Sequence, residues 1–150
     1  MIKCIFLDMD NTIAENITPL DINYYKGMYV NKRPIQPVID EIDALGLPVI
    51  IISKVQGGGP GIIEKRQWLI ENLPFSPVEN YFIDPSINKV DMIKAHCKTN
   101  NIKHEEVLVI DDKKDILLDC YKEGFNVKYP QQLICDNMER IHSNIRRLEK

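Results

Sequence analysis

Short apolar runs alternate along this chain with stretches of helical period. Residues 2–7 (IKCIFL), 48–52 (PVIII), 80–83 (NYFI), 106–110 (EVLVI) and 125–128 (FNVK) read as strands. Several are apolar at nearly every position, which suits strands of a parallel sheet covered on both faces. Helical patterns lie between them, near 35–45, 61–73, 88–100 and 113–123, with a last one near 131–148. In the first, Val38, Ile39, Ile42 and Leu45 keep an apolar stripe, and Gly46 is a natural stop. The alternation predicts an α/β fold with a doubly wound parallel sheet and right-handed crossovers.

Two stretches break the rhythm. Residues 13–34 (IAENITPLDINYYKGMYVNKRP) have no clear period and hold Tyr24, Tyr25 and Tyr29. Residues 54–61 (KVQGGGPG) form a glycine-rich loop after the second strand. Both fall at carboxyl ends of strands, where ligands bind in open α/β sheets. The glycines lack the GK[ST] ending of a P-loop, which argues against a nucleoside-triphosphate cradle.

Composition narrows the class without changing it. A chain of 150 residues, 44% apolar and 27% charged, fits one globular domain spanning 1–150. The net charge of −3 disfavours a broad electrostatic grip on nucleic acid and leaves room for a local basic patch. No segment approaches the roughly 20 apolar residues of a membrane span. The start MIKCIFL has no basic region followed by a long apolar stretch, so a cytoplasmic protein is expected. Cys4, Cys97, Cys120 and Cys135 are scattered and form no CxxC pair, reading as reduced core thiols. His96, His104 and His142 show no ligand spacing, and Trp68 reads as core. The terminal ERIHSNIRRLEK reads as a closing amphipathic helix.

The candidate chemistry is a convergence of acids. Asp8 and Asp10 stand at the end of the first strand, with Thr12 behind them. Asp111 and Asp112 end another apolar strand, and Asp115 lies one turn beyond. In a parallel sheet these ends share an edge. Two charges about 4 Å apart repel by roughly 4 kcal/mol at an effective dielectric near 20. A hard divalent cation removes that repulsion, and Mg²⁺ favours a few carboxylates together with water and phosphate oxygens. Ser53 ends the second strand, where its hydroxyl can donate to a phosphoryl oxygen. Lys89 and Lys65 are both candidates for the lysine that faces the same oxygens.

The motif DMDNT, followed in order by Ser53, Lys89 and IDDKKD, resembles the signature of the haloacid dehalogenase (HAD) superfamily over nearly the whole chain. The resemblance implies a three-layer Rossmann-like fold with a minimal cap at about 13–34. It also implies an aspartyl-phosphate mechanism: Asp8 as nucleophile, Asp10 as general acid and base, and Asp8, the Asp10 backbone carbonyl and Asp111 as Mg²⁺ ligands. Asp112 and Asp115 would orient neighbouring groups, and Thr12 would tie down the loop. Acting as an acid near neutrality requires a raised Asp10 pKa, and the nearby carboxylates push that way.

The stretch SKVQGGGPGIIEKRQWLIENLPF is similar to a region of the 5′(3′)-deoxyribonucleotidases. Departures from that family are Ser53 for its usual Thr, Asn11 where many members carry Gly, a shorter cap and a longer segment between Lys89 and Asp111. Three readings follow: a phosphatase for a nucleotide or similar small phosphomonoester, the same chemistry on a macromolecule, and a phosphate-binding module without turnover. The tyrosines offer rings for stacking on a base or sugar. An adjacent acid/base pair speaks against the third reading, because a phospho-acceptor switch does not need one.

Overall fold

The computed structural model describes residues 1–16, 29–56, 58–136, 138 and 146. Five parallel strands run in the order β3-β2-β1-β4-β5: β1 Cys4–Leu7, β2 Val49–Lys54, β3 Glu79–Ile83, β4 Val107–Ile110 and β5 Asn126–Lys128. The helices α1 (Gln36–Leu45), α2 (Gly59–Asn72), α3 (Lys89–Thr99) and α4 (Lys114–Lys122) connect successive strands. All five expected strands and these four expected helices form, within a few residues of their predicted ends.

Alternation along the strands sorts the core into two halves. Ile5 and Leu7, Val49 and Ile51, and Leu108 and Ile110 join Val38, Ile39, Ile42, Trp68 and Leu69 from α1 and α2. Cys4 and Phe6, Ile50 and Ile52, and Val107 and Val109 join Val90, Ile93, Cys97, Leu117 and Cys120 from α3 and α4. Helices therefore cover both faces, and the central strands β1, β2 and β4 are buried on both sides, whereas the edge strands β3 and β5 carry exposed polar residues. Burial of each large side chain contributes about 1.5–3 kcal/mol.

Local differences from expectation have local causes. The glycine loop is shorter than 54–61, because α2 already begins at Gly59 with a proline in its first turn, where a missing N–H costs nothing. Leu45 does not complete the α1 stripe; it is 46% exposed at the last turn, just before the left-handed Gly46. Cys4, Cys97 and Cys120 are buried free thiols as expected, whereas Cys135 is exposed. Residues 130–136 are helical, and the remainder of the expected 131–148 helix, like His142, lies outside the described residues apart from 138 and 146. Tyr24 and Tyr25 also lie outside them. Among the described residues, no helix is long and apolar enough to cross a membrane.

The segment 13–34 is pinned at both ends. Ala14 bridges to Pro34, the Glu15 N–H donates to the Arg33 carbonyl, and the Ile35 N–H donates to the Ile13 carbonyl. Tyr29–Asn31 forms a short 3₁₀ turn.

Candidate active site

Sheet order brings the candidate acids together. β1 lies between β2 and β4, and the chain leaves it on one side towards β2 and returns on the other as β4. The carboxyl ends of β1 and β4 thus flank the crevice where strand order reverses. Leu7 pairs with Ile110, so Asp8 and Asp111, the next residue of each strand, stand side by side. The period of two gives Asp8 the parity of Cys4 and Phe6, and Asp111 that of Val107 and Val109. Both carboxylates consequently lie on the α3/α4 side. Ser53 has the parity of Val49 and Ile51 and lies towards α1 and α2.

On the α3/α4 side, Asp8, Asp111 and Asp112 present carboxylate oxygens all within 4.8 Å of one another. Lys89, at the first turn of α3, donates its ammonium to Asp8 Oδ1 at 2.7 Å and Asp111 Oδ2 at 2.9 Å. Asn88 caps that helix by accepting the Asp91 N–H. The Thr12 hydroxyl donates to Asp8 Oδ2 at 3.0 Å, so Thr12 fixes the carboxylate itself as well as its loop. The loop turns through Asn11 at φ 61°, a left-handed position that suits Gly and that Asn tolerates.

One ammonium does not balance three carboxylates. Burial and the Asp8 charge raise Asp111, and burial with Asp8 and Asp111 pushes Asp112 up to about 7. Asp112 Oδ1 is buried with no hydrogen-bond partner. Burial alone would lower Lys89, but Asp8 and Asp111 outweigh it and raise its pKa. An all-oxygen donor set with surplus negative charge and an unpartnered buried oxygen fits a hard divalent cation. Asp115 does not join this set. It is exposed in the first turn of α4, about two residues out of phase with the buried Leu117 and Cys120.

The α1/α2 side has the opposite balance. Lys65, buried in α2, donates to Ser53 Oγ at 2.7 Å, the Lys54 carbonyl at 2.9 Å and Asp10 Oδ2 at 3.0 Å. Asp10 Oδ1 accepts the Lys32 ammonium and the Tyr29 hydroxyl, each at 2.8 Å. The two lysines thus divide the candidate roles: Lys89 touches Asp8, and Lys65 joins Ser53 to Asp10.

The expected upward shift of Asp10 is reversed. Burial does raise its pKa, but the charges and hydrogen bonds of Lys65 and Lys32 more than offset this and hold it at about 2. Lysines from two other elements decide the direction, not the carboxylates nearby in sequence. Tyr29 is no open stacking platform either. Its ring meets Trp68 edge-on at 6.4 Å between centroids, and the Lys32 ammonium sits 4.4 Å from its centre. Trp68 is fully buried, as expected. Lys32 carried no sequence signal, lying in an aperiodic segment 22 residues from Asp10.

No family model matches this sequence, and no curated protein does. Solved structures do share its fold. A haloacid dehalogenase-like hydrolase from Streptococcus pneumoniae aligns with a TM-score of 0.59 at 14% identity, over 84% of this chain and 83% of its own. A HAD family enzyme from Bacteroides thetaiotaomicron, in complex with magnesium and inorganic phosphate, aligns with a TM-score of 0.57 at 11% identity, over 86% of this chain and 94% of its own. The N-terminal part of a Bacteroides fragilis protein, containing a phosphatase domain complexed with Mg, aligns at 0.58 and 18% identity. There the match covers 86% of this chain and 35% of the other.

Proposed function

The chain has the fold of haloacid dehalogenase-like hydrolases, and we propose that it is a Mg²⁺-dependent phosphomonoester hydrolase working through an aspartyl phosphate on Asp8. The observation that carries this reading is the meeting of Asp8, Asp111 and Asp112 at two adjacent strand ends, with Lys89 on two of them. The fold neighbours solved with Mg, one also with phosphate, support the same ion and substrate class.

Asp8, Asp111 and Asp112, with the Asp10 backbone carbonyl, would hold the ion. When bound, it would neutralise the carboxylates and polarise the phosphoryl oxygens. Asp8, held by Thr12, attacks phosphorus as the bond to the leaving oxygen breaks. Lys89 on one side, and Ser53 with Lys65 on the other, hold the phosphoryl oxygens while charge redistributes. Asp10 gives a proton to the leaving alkoxide. It then takes one from the water that attacks phosphorus, which frees Asp8 and releases phosphate. Asp10 rests as a carboxylate between two ammonium groups, so it must first take that proton from solvent or from a singly ionised phosphate ester, as incoming phosphoryl oxygens draw Lys65 away. Asp115 has no part in this scheme. The whole chain acts as one domain with a minimal cap at 13–34, on small phosphomonoesters that include nucleotides.

The test is release of inorganic phosphate from a phosphomonoester panel containing deoxynucleotides, with Mg²⁺ and with chelator. Turnover of at least one ester that chelation stops is expected. A folded, Mg²⁺-supplied protein that releases phosphate from none would overturn the reading.

A further inference from the structure

We infer that Lys32, with Tyr29 beside it, forms an anion-binding subsite on the leaving-group side of Asp10, so that preferred substrates carry a carboxylate or second phosphate on their alcohol portion. The inference rests on the phosphatase reading above and narrows its substrate class.

The contacts form one chain through Asp10. Ser53 Oγ meets Lys65 Nζ, Lys65 meets Asp10 Oδ2, and the other Asp10 oxygen meets Lys32 and Tyr29. A leaving group protonated by Asp10 must lie against that carboxylate, and Lys32 and Tyr29 are donors held on the same carboxylate.

The charge on that side is unbalanced. Lys32 and Lys65 share the Asp10 carboxylate, and their side chains are only 11% and 7% exposed. Burial depresses the Lys65 ammonium, Asp10 and the more distant Asp8 oppose this, and Lys32 lies close enough for its charge to add to the depression. Removing an ammonium from water is costly unless a partner compensates, and Asp10 needs only one. A substrate anion would supply the second.

The position is also built rather than incidental. The buried Trp68 donates its indole N–H to the Lys32 carbonyl at 2.9 Å and packs against the Tyr29 ring, which in turn supports the Lys32 ammonium. Lys32 is held at both its backbone and its charged end, and the Tyr29 hydroxyl adds a neutral donor beside it.

Two matched substrate pairs test this. One is 2-phosphoglycolate against its neutral amide; the other is 1,3-propanediol bisphosphate against the monophosphate. A preference in kcat/KM of about 10- to 100-fold for the anionic member of at least one pair is expected, the span of one charge-assisted hydrogen bond. Which pair shows it distinguishes carboxylate from phosphate. Lys32→Met, or Lys32→Gln should the Met variant not fold, is expected to bring the ratio near one, and Lys32→Arg to keep most of it. Equal rates within both pairs for the wild type, or a preference that survives loss of the Lys32 charge, overturns the subsite.

Calorimetric binding of the same esters to Asp8→Asn with Mg²⁺ reads the subsite without turnover. If nothing is hydrolysed, the phosphatase reading falls. The subsite then stands on a Lys32-dependent binding preference and falls without one.

Discussion

Two lysines flank the first strand of this protein in opposite company. Lys89, on the α3/α4 side, is one cation among three carboxylates; Lys65, on the α1/α2 side, shares a single carboxylate with a second lysine. Buried charge carries a desolvation cost on both sides. In the proposed account a metal cation would complete the acid-rich side, and a phosphoryl group with an anionic leaving group would complete the lysine-rich side. Strand parity set up the contrast, because Asp8 and Asp111 point to one face and Ser53 to the other.

Breaking the acid-rich side should have the largest effect. Asp8→Asn is expected to lower phosphatase kcat by at least on the order of 10³-fold, as loss of a nucleophile does, with the circular dichroism spectrum unchanged. Turnover near the wild-type level would refute Asp8 as the attacking group.

Asp10→Asn acts on the other side and removes only proton transfer, worth about 10²- to 10⁴-fold. The loss should shrink for esters with acidic leaving groups such as p-nitrophenol. An equal loss for all leaving groups would show that Asp10 does something other than protonate.

The two sides should also differ in pH response. Asp112 is raised to about 7 in the fold, against an ordinary value near 4. The folded protein without metal therefore binds more protons than the unfolded chain in that window, and its stability falls as pH rises from about 4 to 7. Asp10, held at about 2, works in the opposite sense: its contribution is present above pH 4 and is lost as pH falls from 4 towards 2. Thermal unfolding of chelated protein should give a Tm that declines between pH 5 and 7, with Mg²⁺ or Asp112→Asn flattening the decline. A Tm that rises over that window would contradict the crowding of the three acids.

The smallest effects come from the helices that carry the lysines. Asn88→Ala removes the cap of α3 and should cost about 0.5–2 kcal/mol in denaturant unfolding. Gly61→Ala in α2 would place a Cβ 2.7 Å from Val55 Cγ1 and 2.8 Å from the Gln56 carbonyl oxygen, costing about 1–3 kcal/mol. If either substitution proves neutral, that helix adjusts more freely than its packing implies.

The acid-rich side was the legible one. Apolar runs ending in DMD and IDD located the strand ends, a parallel sheet put those ends on one edge, and the pairing of β1 with β4 then brought Asp8 and Asp111 side by side. Phase was harder to read: Asp115 lies off the buried stripe of α4, and on the other face Leu45 falls at the exposed end of α1. The lysine-rich side was only half legible. Ser53 and Lys65 could be named, but their partnership depends on how α2 packs over β2. Lys32 and Tyr29 reach Asp10 from a segment with no period, so their contact is a product of tertiary packing. For that reason the direction of the Asp10 shift could not be read from its sequence neighbours.

The central claim is most directly tested by acid-quenching the protein during turnover with Mg²⁺ and mapping its peptides by mass spectrometry. The account predicts the added mass of one phosphoryl group on the peptide containing Asp8, absent in Asp8→Asn. Rapid turnover with the adduct on another residue, or with none trapped under conditions where product formation shows a burst, would contradict it.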